Sequence, residues 1–145
     1  MNLQWESETG NESTYHWAQG NILRWAIEQY TDAKMFFIHM GSKVLGTAQD
    51  LITAREICQA YETDNPRLIR WVETDDIHMD SREAMGDYRI TLDEKSADEA
   101  LYKNGKLVIT ITQAGLCGRS AGERACRLAA LLDGLAMHNA QREGK

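Results

Sequence analysis

The chain is poor in proline and cysteine and has no long apolar run, and each shortage excludes a class of protein. Its 145 residues include one proline and three cysteines, Cys58, Cys117 and Cys126, without a CxxC pair. Such thiols do not fit a disulfide-stabilised secreted domain. No run of eighteen apolar residues predicts a membrane span. The acidic start, MNLQWESETG, lacks the basic region of a signal peptide, so we expect a cytoplasmic protein without membrane attachment.

Positive charge is also in short supply, and the deficit lies in the first half. The formal net charge is -6 at pH 7. Residues 1–64 carry nine acidic and four basic side chains, and residues 65–145 carry thirteen and twelve. Because contacts with phosphates supply most of the affinity in nucleic-acid binding, direct binding to DNA or RNA is disfavoured. A protein partner with a basic surface is the better electrostatic match.

The segment QAGLCGRSAGERACRLAALL, residues 113–132, contains the glycines of a phosphate-binding loop but not its motifs. Neither GxGxxG nor the GK[ST] of a P-loop is present. Ser120 and Glu123 instead form the S-x-x-E pattern of a capping box ahead of an apolar helical run. Thr53 and Glu56 give the corresponding pattern in the first half. We therefore predict two capped helices, and we expect no cofactor.

The single proline, Pro66, divides the chain into halves that resemble each other. The matched residues are Trp5 and Trp71, Ala18 and Ala84, Gly20 and Gly86, and Gly41 and Gly105. These identities keep the same order, and their offsets drift only between 64 and 66 residues, which indicates a duplicated unit. We predict tandem units over residues 1–64 and 65–145.

Strand-like segments open each half and a helical run closes it. The segments are LQWES, ILRWAIEQ and KMFFIHMGSKVLG in the first half, and LIRWVET, DYRITLDE and ALYKNGKLVITIT in the second. In the last of these, Leu107, Ile109 and Ile111 alternate with Val108, Thr110 and Thr112, which is typical of a half-buried strand. STYHWAQGNILRWAIEQY also has a partly helical pattern, but Gly20-Asn21 favours a break. We predict an α+β fold of two units, each a small antiparallel sheet followed by one amphipathic helix.

Acidic residues and a histidine gather between the predicted strands around Trp71 and Tyr88. If this segment is extended, Asp76, His78 and Asp80 share one face within reach of a single metal ion. A solvated loop between strands would have the same composition. The sequence contains no diagnostic catalytic motif, and this favours a non-enzymatic protein. A small metal-dependent enzyme built on these three residues is the alternative.

Aromatic residues carry the remaining functional signal. Eight of the eleven lie in the first half. Because one helix covers one face of a small sheet, some of them must pack against the second unit, a second copy or a partner. Trp and Tyr are favoured anchors of binding surfaces. We predict a partner-binding surface that contains Trp17, Trp25, Glu28, Tyr30 and Asp32.

Short strands marked by Trp and Gly, followed by one amphipathic helix, resemble the small modules of phage and prophage accessory proteins. The resemblance rests on this pattern in both halves. Several such proteins bind and block a host protein, so it implies an inhibitor that occludes a basic surface of a host nucleic-acid-handling protein. A dimeric acidic chaperone-like protein is a further alternative of similar size and charge, although such proteins usually open with a helix.

Overall fold

The computed structural model describes residues 2–30, 34–93, 95–96, 98–111 and 122–143. Within these ranges the chain forms ten strands and two helices. They are β1 (Glu6–Thr9), β2 (Ser13–Gln19), β3 (Arg24–Tyr30), β4 (Phe36–Met40), β5 (Lys43–Ala48), α1 (Leu51–Thr63), β6 (Arg70–Glu73), β7 (His78–Arg82), β8 (Tyr88–Leu92), β9 (Glu99–Lys103), β10 (Lys106–Ile111) and α2 (Glu123–Glu143).

All ten strands belong to one antiparallel sheet, in the order β1-β2-β3-β4-β5-β10-β9-β8-β7-β6. Each half of the chain contributes a five-stranded meander, and the two meanders meet where β5 pairs with β10. At this seam Thr47 lies opposite Thr110 and Gly46 lies opposite Ile111. The predicted α+β class is confirmed, and strands from both halves share a single sheet.

One face of the sheet carries the core, because both helices pack there. Helix α1 contacts β3, β4 and β5, α2 contacts β8 and β9, and the two helices contact each other. Alternate strand residues point toward them. Ile27 and Ile38, directly opposite each other in β3 and β4, are fully buried, as are Ile90 and Leu101 in β8 and β9. We call the opposite face of the sheet, which neither helix covers, the open face.

The segment over residues 13–30, which also had a helical pattern, is the hairpin β2–β3, so the strand prediction is confirmed. The Gly20 amide donates to the Leu23 carbonyl (2.8 Å) in the connection. A side chain at Gly20 would collide with the Glu62 carboxylate of α1. The added carbon would also lie 2.8 Å from the Leu23 carbonyl oxygen, and this backbone contact within the connection favours glycine.

The acidic segment before Tyr88 is partly a connection and partly a strand: residues 74–77 join β6 to β7, and β7 begins at His78. β7 pairs with both β6 and β8. Met79 and Ser81 point toward the core, whereas His78 and Asp80 point to the open face. This alternation was obscured because the inward residues are not strongly apolar. At the other edge, β1 begins at Glu6, three residues later than predicted, and Leu3 is buried outside any strand.

The predicted alternation in β10 holds only beyond a bulge. Leu107 pairs with Tyr102, but Ile109 pairs with Leu101, so the register shifts between them. Val108 and Ile109 are consequently both buried, and Leu107 is only half-buried. The prediction that Leu107 shares a face with Ile109 is wrong, because a bulge reverses the alternation of side chains.

The N-cap of α1 is Asp50 and not Thr53. The Asp50 carboxylate accepts a hydrogen bond from the Thr53 backbone amide (2.7 Å), and the helix begins at Leu51. Thr53 is therefore inside the first turn. The capping pattern predicts that the Thr53 side chain accepts the hydrogen bond at the helix start, but the Asp50 carboxylate does so.

At the start of α2, Ser120 of the predicted capping box lies outside the described residues. The buried Glu99 of β9 supports this end of the helix. Its carboxylate accepts from the Ala125 amide (3.0 Å) and from Arg124 Nε (3.0 Å). A carboxylate suits the positive end of the helix dipole, so a strand side chain stabilises the helix start.

Asp133 joins α2 to two loops of the second half. Its fully buried carboxylate accepts from Arg67 (3.1 Å) and from the backbone amides of Met85 (3.3 Å) and Gly86 (3.1 Å). These bonds satisfy a buried charge that would otherwise be costly.

Cys58 and Cys126 are free, as predicted, and burial raises the pKa of the first thiol to about 12 and of the second to about 11. Cys117 lies outside the described residues. Over the ranges that the structure covers, no helix has both the length and the apolar character needed to cross a membrane.

Candidate functional site

The open face of β2, β3 and β4 carries a cluster of aromatic side chains. Tyr15 and Trp17 project from β2, Tyr30 from β3 and Phe37 from β4; we call these four residues the aromatic patch. Tyr15 is 42% exposed and Tyr30 is 43% exposed. The rings of Tyr30 and Phe37 meet edge to face at 5.5 Å between centroids. The patch is therefore ordered by its own contacts but still reaches solvent.

Strand register sets the order of side chains across the patch. Glu8 lies opposite Tyr15, Tyr15 opposite Glu28, and Glu28 opposite Phe37. In the neighbouring row, Glu6 lies opposite Trp17, which lies opposite Ala26. Because directly opposed residues share a face, the acidic side chains of edge strand β1 border the aromatic patch.

Glu28 is the buried polar centre of this region, with 8% of its surface exposed. Interaction with the Glu28 carboxylate raises the pKa of the Tyr15 hydroxyl. His39 Nε2 lies 3.4 Å from Glu28 Oε1 but forms no hydrogen bond with any described residue. Glu28 therefore orients the patch from beneath and is not a freely accessible charge.

A cleft of about 740 Å³ runs beside the patch. Its walls include Tyr15, Trp17 and His39, and Ala26 lies between the last two on neighbouring strands. The guanidinium of Arg24 lies 4.6 Å from the centre of the Trp17 ring. This volume is large enough for an inserted side chain or a small ligand.

The predicted partner-binding residues have different positions in the structure. Trp17 and Tyr30 lie in the aromatic patch, and Glu28 lies beneath it. Trp25 is only 2% exposed and donates from Nε1 to Glu62 (3.1 Å), so its assignment to a binding surface is wrong. Asp32 lies outside the described residues.

Sequence reasoning missed Tyr15, Phe37, Glu6 and Glu8. The signal for Tyr15 was available, because a strand that exposes Trp17 also exposes the residue two positions earlier. In β3 the same alternation places Trp25 on one face of the sheet and Glu28 and Tyr30 on the other. The acidic pair of β1 could not be placed beside the aromatic residues, because the sequence does not show that β1 pairs with β2.

Two of the three candidate metal ligands, His78 and Asp80, are engaged with other side chains. His78 Nδ1 lies 2.9 Å from Asp75, and Asp80 makes hydrogen bonds of 2.7 and 3.0 Å with Arg89. The pKa of Asp80 is lowered by the bond from Arg89. Asp76 is exposed and precedes the strand. Among the residues that the structure describes, no group of three His, Cys, Asp or Glu side chains could hold a metal ion.

No protein-family model, curated protein or solved structure matches this chain.

Proposed function

We propose that the chain is a non-enzymatic protein-binding module, and that the open face of its first half covers a basic surface of another protein. The observation that carries this proposal is the aromatic patch, bordered by the acidic strand β1. The mechanism is occlusion, in which the aromatic residues anchor the complex and the acidic residues steer its formation.

The aromatic patch supports the proposal because it has no covering element in the described structure. An antiparallel sheet with one solvated face normally places polar residues there. Here Tyr15, Trp17, Tyr30 and Phe37 occupy neighbouring positions on that face. Tyr and Trp are the residue types that contribute most to binding energy at protein interfaces. Their concentration favours a macromolecular partner.

Charge identifies the kind of partner. Glu6, Glu8 and Glu12 are all exposed at the sheet edge or in the turn beside the patch. Opposite charge on the partner speeds encounter and fixes orientation. Proteins that bind nucleic acids present such basic surfaces to the phosphate backbone. We therefore propose a nucleic-acid-handling protein as the partner, in line with the implied phage-type inhibitor.

The proposal includes an organisation of the chain as two related units, residues 1–64 and 65–145. The strand order is symmetric about the β5–β10 seam, and each half ends in a helix. Both hairpins next to the seam have a register shift. An offset of 63 pairs buried Trp25 with Tyr88 and buried Ile27 with Ile90. The acidic aromatic patch then distinguishes the first unit from the second.

Affinity measurements on variants of the open face test the binding proposal. Partners captured by the tagged chain from its native cells would be identified, purified and titrated against Glu6→Lys/Glu8→Lys and Tyr15→Ala/Tyr30→Ala. We expect each double variant to weaken binding by about tenfold or more, because each removes a steering or an anchoring element. Added salt should weaken binding to the unaltered chain.

Matched controls come from the second half. Glu73→Lys reverses one charge on the opposite edge strand, and Tyr102→Ala removes one aromatic ring from the open face of β9. Both should retain affinity. Salt-insensitive binding that none of the first-half variants reduces would refute the proposal, even if a partner is captured.

A further inference from the structure

The opposite side of the molecule contains a second cleft, of about 410 Å³, between the two helices. Residues of α1 and α2 form its walls, and Trp5 of the N-terminal segment lies at one side. We infer that this cleft binds the phosphate group of a small anionic molecule. The inference concerns a different surface from the proposed protein-binding face and does not depend on it.

Helix periodicity brings two arginines and a histidine together in the cleft. Arg55 projects from α1, and His138 and Arg142, four residues apart, project from one face of α2. Asn139 adds an amide donor beside them. His138, Asn139 and Arg142 are exposed, so a ligand can reach them from solvent.

Arg55 gives the strongest indication of a ligand. Its guanidinium lies 5.5 Å from the centre of the Trp5 ring, which restricts its orientation. Its Nε atom is buried and has no hydrogen-bond partner among the described residues. A buried donor without an acceptor is costly. Arg55 also lines the cleft, so a bound phosphate would give its guanidinium the acceptor that the described residues do not give its Nε atom.

Local charge favours an anion although the chain as a whole is acidic. Arg55 and Arg142 face one carboxylate in the cleft, that of Glu56. Charges beyond about 8 Å are largely screened at physiological ionic strength, so the local cations decide the potential in the cleft. Two guanidinium groups match the charge and geometry of a phosphate better than they match those of a monoanion.

Isothermal titration with inorganic phosphate, pyrophosphate and ATP tests the inference and distinguishes a free ion from a phosphate carried by a larger molecule. Binding to the full chain should weaken by about tenfold in Arg55→Gln and in Arg142→Gln, because each loses charge-assisted hydrogen bonds. Arg127→Gln is the matched control: it lies on the same helix, is exposed, and pairs with Asp64 outside the cleft. It should bind as the unaltered chain does.

Two results would overturn the inference. One is the absence of binding of all three compounds at millimolar concentration. The other is an equal loss of binding in Arg127→Gln, which would show a general charge effect. If Arg55→Gln fails to fold, the binding measurement on Arg142→Gln still tests the inference, because Arg142 is exposed. Glu56→Gln should strengthen binding, since it removes the negative charge from the cleft.

Discussion

Single residues of this protein hold together segments that are far apart in sequence. Asp133 reaches back to Arg67, and Glu99 supports a helix start more than twenty residues later. Neither role could be predicted from the sequence, because an acidic residue in a helix or strand is normally exposed. Only the fold shows that both carboxylates are buried and fully bonded.

At this scale we predict that Asp133→Asn lowers the free energy of unfolding by about 3 kcal/mol, since it leaves Arg67 without its charged partner. The asparagine keeps one acceptor oxygen, so the NH2 group that replaces the other oxygen also costs the hydrogen bond from either Met85 or Gly86. Urea unfolding followed by circular dichroism measures the change. Asp64→Asn is the control, because Asp64 forms an exposed pair with Arg127 at 3.4 Å. A similar, small effect in both variants would contradict the role assigned to Asp133.

At the scale of elements, the sequence indicated both helices and most of the strands correctly. Alternating apolar residues, and glycines that mark breaks between strands, indicated strands over residues 13–30 and in the regions of β4–β5 and β9–β10. The Asn104-Gly105 turn has φ of 53° and 81°, and this residue pair is a recognised hairpin signal. The failures were β7, where the polar Ser81 faces inward, and β10, where a bulge interrupts the period.

The cap of α1 gives a test at this scale. We expect Asp50→Ala to cost about 1 kcal/mol of stability and to cost more than Thr53→Ala, because Thr53 contributes its backbone amide whatever its side chain. Thermal unfolding of the two variants measures the difference. A larger loss of stability for Thr53→Ala than for Asp50→Ala would contradict the assignment of Asp50 as the N-cap and would favour the predicted Thr53–Glu56 capping box.

The pH dependence of this cap follows from the same contact. The hydrogen bond from the Thr53 amide lowers the pKa of Asp50 below its ordinary value of 3.8. The stabilisation by the carboxylate is therefore present above pH 3.8 and is lost as the pH falls through the lower pKa of the folded state. The difference in stability between the unaltered chain and Asp50→Ala should shrink in that acid range. A difference that stays constant from pH 7 to pH 2 would contradict this assignment.

At the scale of the whole molecule, the seam between β5 and β10 makes one sheet from two meanders. Local patterns cannot reveal such a pairing, because its residues are separated by most of a half-chain. The candidate binding surface was only partly predicted for a related reason. Trp17 and Tyr30 were identified by residue type, but which tryptophan faces solvent depends on which side of the sheet the helices cover.

Gly46 tests the importance of the seam. It lies between Ile38 and Ile111 on the core face, and an added Cβ would collide with the Thr110 carbonyl. We expect Gly46→Ala to destabilise the fold by about 2 kcal/mol through overpacking. Denaturant unfolding provides the measurement. Gly10→Ala, whose added carbon would make only an ordinary contact at 3.6 Å, should leave stability nearly unchanged.

The seam also has a consequence for synthesis on the ribosome. Thr47 of β5 cannot pair with Thr110 until β10 has been synthesised, because Thr110 is translated 63 residues later. At about 5–20 residues per second, the delay is about 3–13 seconds. During that time β5 is an unpaired edge of a nascent sheet, the kind of strand that joins another chain most readily. Premature termination before β10 would make that exposure permanent, so truncated products of this chain should aggregate.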